Sequence, residues 1–260
     1  VTTVNRLREL IRAGVPARGL SITLGDDQIA EEFAHSGVDY VYVDQQHGLV
    51  DAHRLVAVLR ALAVTDVTPL VRVPAVESGI IGVALDAGAH GVIVPMVEDA
   101  RQAELAVRCT RYHPMGRRSW GPIRATHGLG TDPTTVNSEV MCLVMIESAE
   151  GVEHADEILA VDGVDGAYLG PADLSVSLGF PPRSVEEATD AEPLEAIARV
   201  REACARHGKV AAVSGRFETR SVEGFGMVTI GSDIGLLRGG LNALTRDTRT
   251  AGRQSERTAR

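Results

Sequence analysis

The sequence predicts a (β/α)8 barrel, an α/β fold of eight parallel strands with helices outside, and three observations carry that prediction. Apolar runs rich in Val, Ile and Leu recur at strand length, eight in all. They lack strict polar alternation, as do parallel strands covered on both faces. Helical patterns separate them, and a chain of 260 residues has the length of one such barrel. A doubly wound open sheet shares the alternation, but no GxGxxG opens its first helix.

The elements follow in order. "VTTVNRLRELIRAG" reads as an amphipathic helix, without the apolar core or cleavage site of a signal peptide. Strands are expected near Gly19–Leu24, Tyr40–Asp44, Pro69–Val73, Gly91–Pro95, Met141–Glu147, Gly166–Gly170, Val210–Ser214 and Met227–Gly231. Helices are expected at Ala52–Ala63, Ile80–Ala87, Ala100–Arg108, Glu153–Ala160 and Leu194–His207. Turns at Gly37-Val38-Asp39, Gly88-Ala89-His90 and Gly163-Val164-Asp165 each end a helix with a residue suited to the left-handed cap. One connection is long, from Arg111 to Asn137, and is expected to build an active-site rim or an interface. Residues 1–247 form a single domain in this reading. The tail from Thr248, "TRTAGRQSERTAR", has no apolar face and is expected to be disordered.

Composition narrows the function classes. A net charge of −9 argues against nucleic acid or an anionic membrane as partner. No stretch approaches the ~18 unbroken apolar residues of a spanning helix. Three cysteines without CxxC spacing point to a reduced, cytoplasmic protein with no disulfide framework. Lys209 is the only lysine. It follows His207-Gly208 and precedes the seventh strand, at the end of the barrel remote from chemistry. A Schiff-base lysine mechanism is therefore not expected, and an enolate would need a metal and an arginine.

Catalytic groups of a (β/α)8 barrel sit where strands end. The second strand ends in Asp44, followed by Gln45, Gln46 and His47. The third carries Arg72, the fifth ends in Glu147, and the sixth ends in Gly170-Pro171-Ala172-Asp173. Glu147 and Asp173 on adjacent tips suit a hard divalent cation that keeps other positions for water or substrate oxygens. Taken singly, Asp173 could cap a helix and Glu147 could pair with an arginine. His47 alone reads as structural, but Asp44 three residues earlier could orient its imidazole and raise its basicity. Arg72 lies inside the apolar "PLVRVP" and needs an anionic or carbonyl partner, either a ligand oxygen or a carboxylate of the barrel. His113 and His127 in the long connection are second candidates.

These segments resemble the HpcH/HpaI aldolases, metal-dependent pyruvate aldolases of the phosphoenolpyruvate/pyruvate barrel superfamily. The resemblance rests on "YVDQQHG", "LVRVP", "ALDAGAHGVIVPMVEDARQAELAVRCTRYHPMGRRS", "VMIESAEGVEHADEILAVDGVDGAYLGPADLSVSLG" and "MVTIGSDIGLLR", from about Tyr40 to Arg238. It implies that Glu147 and Asp173 bind the cation (Mg²⁺, Mn²⁺ or Co²⁺) and that His47 is the acid/base with Asp44 beside it. It also implies that Arg72 contacts the keto oxygen and the enolate, that Gly170, Pro171 and Ala172 hold the substrate carboxylate, and that Asp86 supports the site, often across a subunit contact. The resemblance further implies a homo-oligomer, a hexamer built from dimers, with a C-terminal helix exchanged between subunits. The chain departs from the family where Gln46 replaces a glutamate, where Met145 replaces a glutamine, and where Ser21 lies in the region of a common aromatic.

The expected activity is cleavage or synthesis of 4-hydroxy-2-oxo acids from pyruvate, or a close 2-oxo acid, and an aldehyde, through a metal-stabilised enolate. Gln46 and Met145 keep open an oxaloacetate-type decarboxylase or a tailoring enzyme using the same enolate. A non-catalytic barrel that binds 2-oxo acids is the alternative from another class.

Overall fold

The computed structural model describes residues 4–121 and 123–258. Eight parallel strands close into a barrel in chain order. They are β1 (Ala17–Ile22), β2 (Tyr40–Asp44), β3 (Thr68–Arg72), β4 (Gly91–Val94), β5 (Met141–Ile146), β6 (Gly166–Leu169), β7 (Val210–Ser214) and β8 (Met227–Ser232). Their burial is nearly unbroken, because helices cover the outer face and side chains fill the inside. β1 begins two residues before the expected Gly19 and stops at Ile22. Beyond it, the N–H groups of Thr23 and Leu24 donate to the Asp233 carboxylate at 3.0 and 2.8 Å, so they leave the strand ladder. β5 and β6 stop one residue short of Glu147 and Gly170, which places both on the rim.

The helix Arg6–Arg12 closes the N-terminal end of the barrel. Leu7 is fully buried among the inward residues, and its N–H donates to Thr68 Oγ1 at 3.1 Å. The glycines of the three αβ turns, Gly37, Gly88 and Gly163, have φ of 82°, 111° and 94°. Lys209 lies at this same end, its Nζ donating to the Val164 carbonyl at 2.7 Å. The three cysteines are buried and free. Among the described residues no helix is long and apolar enough to cross a membrane.

Two expectations change. The connection from Arg111 to Asn137 follows the helix Ala100–Thr110, so it is an αβ connection and lies at the N-terminal end, away from the rim. It is pinned there by Asn137, whose side chain accepts from Tyr112 N–H at 2.7 Å and donates to Tyr112 O at 3.0 Å. His127 shares a small cavity with His90, which immediately precedes β4, so it is remote from the strand tips. The last helix spans Asp233–Thr258, so the boundary at 247 falls within it and helix replaces most of the expected disordered tail. The segment lacks an apolar face, but it also lacks proline and is rich in residues that tolerate a helix. Ala259 and Arg260 lie outside the described residues.

Candidate active site

The register of β2 and β3 sets Asp44 directly beside Arg72. The guanidinium grips the carboxylate as a fork, Nε to Oδ1 at 2.9 Å and Nη2 to Oδ2 at 2.6 Å. Asp44 is 2% exposed. Burial opposes the charge of Arg72. The bonded Asp44 carboxylate, helped by Tyr42, more than offsets it, so the guanidinium pKa is raised and the charge is secure. Two of its nitrogens are occupied. The third, Nη1, has only the Met145 sulfur, at 3.9 Å, a weak acceptor. Arg72 is therefore anchored on one edge and has a donor to spare on the other.

Asp44 also accepts from the backbone N–H groups of Gln46 and His47, at 3.0 and 3.3 Å. The expected Asp44–imidazole contact is thus replaced. Asp44 folds the loop that carries His47, and the His47 ring is exposed. Four N–H donors already occupy the carboxylate, and the short loop brings the His47 backbone, not its ring, within reach.

Glu147 follows β5 and is 2% exposed. Its Oε1 accepts from Met96 N–H at 2.9 Å, whereas Oε2 is buried without a partner. Burial raises its carboxyl pKa, Met96 partly opposes this, and the nearby Asp173 charge adds to it. Met96 has φ of 53°, the one positive value at a non-glycine among the described residues. Such strain is seen where the surrounding structure demands it, and here it turns an N–H onto Glu147. Nothing in the sequence around "VPMVED" marks Met96 for this position.

Gly170 follows β6. A Cβ there would lie 2.3 Å from Glu147 Oε2, so only glycine admits the carboxylate. Pro171 starts the helix Pro171–Ser177, its first-turn position needing no N–H, and Asp173 stands exposed in that turn. Asp173 makes no cap hydrogen bond, and Glu147 forms no direct ion pair with an arginine, although the Arg72 charge is near enough to favour its ionised form. Among the described residues no cluster of three metal-ligating side chains occurs. The fit is to a hard cation with two carboxylate ligands and a shell completed by other oxygens. The unpartnered Oε2 supports that fit, since an uncompensated buried carboxylate oxygen is costly. Gly170→Ala would displace Glu147. It is expected to weaken Mn²⁺ binding by on the order of 10–100-fold in a calorimetric titration, with the barrel still folded.

Asp86 is not part of this cluster. It ends the helix Ser78–Asp86 at the opposite end of the barrel, where Arg118 Nη2 donates to it at 2.7 Å. The expected supporting role is not met within one chain.

A closed parallel barrel with two carboxylates and an anchored arginine at its C-terminal mouth has the makings of an enzyme active site. The comparisons make the class definite. The family model described as HpcH/HpaI aldolase/citrate lyase matches residues 19–239. A hydroxypyruvate/pyruvate aldolase of Rhizorhabdus wittichii is 35% identical over 251 residues, 95% of this chain and 99% of its own. A 4-hydroxy-2-oxovalerate aldolase of Rhodococcus jostii is 33% identical, covering 93% of this chain and 95% of its own. A crystal structure of a HpcH/HpaI aldolase/citrate lyase family protein from Burkholderia cenocepacia superposes with a TM-score of 0.84 at 30% identity, over 95% of this chain and all of that one. The protein is an aldolase, a carbon–carbon lyase. It belongs to the HpcH/HpaI aldolase/citrate lyase family.

Proposed function

We propose that the enzyme forms and cleaves 4-hydroxy-2-oxo acids, joining pyruvate or hydroxypyruvate to an aldehyde with a divalent cation at Glu147 and Asp173. The observation that carries this is an unpartnered buried oxygen, Glu147 Oε2, together with an anchored arginine whose Nη1 is held only by the weakly accepting Met145 sulfur. The cation, when bound, would act as a Lewis acid on the 2-oxo group. The turn at Gly170, Pro171 and Ala172 would hold the substrate carboxylate. Arg72 Nη1 would donate to the oxygen that gains charge as the C3–C4 bond breaks. The planar fork on Asp44 fixes that donor beforehand, so no reorganisation is needed during reaction. His47 would take the proton of the C4 hydroxyl. It is exposed on a loop held by Asp44 at the C-terminal end of β2, the end of the barrel where the hydroxyl of an extended substrate would lie. The test is a screen of aldehydes with pyruvate and with hydroxypyruvate, after chelation and reloading with Mg²⁺, Mn²⁺ or Co²⁺. No product with any pair would sink the reading.

His47→Ala should slow aldol cleavage by on the order of 10²–10⁴-fold. Decarboxylation of oxaloacetate has no C4 hydroxyl to deprotonate and should fall much less. An unchanged ratio of the two rates would move the base elsewhere. A second reading, decarboxylase as the main activity, is favoured by the Met145 contact and by Gln46, whose side-chain oxygen is buried without a partner. It would be selected by carbon dioxide release without any aldehyde partner.

We also propose that the enzyme works as an oligomer with its last helix exchanged. Leu236, Leu237, Leu241 and Leu244 on that helix are all more than half exposed, a cost that burial against a second copy would remove. Light scattering that returned the mass of one chain would contradict it.

A further inference from the structure

Beneath the site, inside the barrel, lies a layer of joined hydroxyl groups that neither the cation nor the proton transfer uses. Tyr40 Oη and Tyr168 Oη both meet Thr229 Oγ1, at 2.9 and 2.8 Å. Tyr168 Oη also meets Ser214 Oγ at 2.9 Å. Tyr42 lies beside them, its buried hydroxyl near those of Ser21 and Tyr168. The Tyr42 and Tyr168 rings touch edge to face, with centroids 5.7 Å apart. All of these are buried except Ser214, which is exposed at the tip of β7.

The layer sits directly under the chemistry. Successive inward positions on a strand are two residues apart. Tyr42 is two before Asp44, Met145 two before Glu147, and Tyr168 two before Gly170. The Arg72 guanidinium lies 5.8 Å from the centroid of the Tyr42 ring. Ser214 and Thr229 also line an open cavity of about 580 Å³ shared with Arg18, Phe217 and Ile230 beside the ends of β7 and β8. Leucine or phenylalanine would fill the same interior without the cost of burying hydroxyls. Each hydroxyl has one proton and two lone pairs, so a joined set keeps spare acceptors, and Ser214 presents them at the open end.

We propose that this network, through Tyr168 and Ser214, determines the donor substrate: it receives the hydroxyl group of a 2-oxo acid hydroxylated at C3, and so favours hydroxypyruvate over pyruvate. The proposal rests on the aldolase reading above. Groups held at the Gly170 turn, Glu147, Asp173 and Arg72 engage the carboxylate and keto oxygen, which the two donors share. The C3 substituent is where they differ. A site with hydroxyl partners in place discriminates against the analogue that lacks the group.

The test is calorimetric. Hydroxypyruvate and pyruvate are titrated separately into the Mn²⁺-loaded parent, Tyr168→Phe and Ser214→Ala. The parent should bind hydroxypyruvate more tightly, and each variant should reduce that preference by roughly three- to tenfold, the scale of one hydrogen bond. Should Tyr168→Phe fail to fold, Ser214→Ala at an exposed strand tip answers alone. A parent without preference, or variants that keep the parent's ratio, would overturn the proposal and leave the network a packing device. A preference lost as expected, in a protein that joins neither donor to any aldehyde, supports the proposal and overturns the aldolase reading instead.

Discussion

Glu147→Gln will abolish aldol turnover, by on the order of a thousandfold or more, while leaving the metal-free barrel at least as stable as the parent. The loss would follow from removing one of the two proposed ligands of a cation whose charge stabilisation would be worth several tenfold factors. The unimpaired stability follows from Oε2, which is buried without a partner and stabilises nothing in the metal-free chain. Glutamine retains an oxygen to accept from Met96 N–H and removes the buried charge. The pH dependence has a definite sign. Burial raises the carboxyl pKa, so the metal-free fold is penalised as pH rises through that group's titration. The cation binds the ionised form, so its affinity falls as pH is lowered through the same range. Thermal melts with and without Mn²⁺, across acidic to neutral pH, check both. A metal-free variant much less stable than the parent would show that Glu147 is structural.

Arg72→Ala should remove both aldol cleavage and exchange of the pyruvate methyl protons, since both need the enolate oxygen stabilised. It should also lower stability by about 3–5 kcal/mol, because Asp44, 2% exposed, loses its partner. Arg72→Lys separates the two effects. A lysine restores a charge beside Asp44, and with it much of the stability. It cannot make two parallel bonds to the carboxylate and still present a third donor. Proton NMR of pyruvate in D₂O and a cleavage assay, run with a melt for each variant, provide the readings. Normal exchange in a folded Arg72→Lys enzyme would remove Arg72 from the enolate step.

The parts of this arrangement legible in the sequence are those written in one strand. An apolar run that ends in a lone carboxylate announces a rim residue, so Glu147 and the Gly170–Asp173 turn could be read directly. Arg72 was visible as a charge inside an apolar run, but its partner was not. The Asp44 pairing depends on the register between β2 and β3. That register in turn gives Asp44 its task, which is to anchor Arg72 and the loop backbone and not the His47 ring. The end of the barrel at which the long connection lies is not legible, because a Gly- and Pro-rich stretch looks alike in βα and αβ loops. The helix Ala100–Thr110 had already carried the chain back across the barrel. Met96 was not legible, since its contribution is a backbone N–H turned by one dihedral angle. The hydroxyl layer was hidden for a related reason: Tyr42, Tyr168, Ser214 and Thr229 come from four strands and meet only when the barrel closes.

Enolate formation should depend on a cation held by Glu147 and Asp173. The most direct measurement is methyl-proton exchange of pyruvate in D₂O, followed by NMR on enzyme stripped with chelator and then reloaded. The stripped enzyme should show no exchange above the buffer. Mg²⁺, Mn²⁺ or Co²⁺ should restore it in the parent but not in Glu147→Gln or Asp173→Asn. Full exchange in excess chelator, or restoration in either variant equal to the parent, would contradict the account.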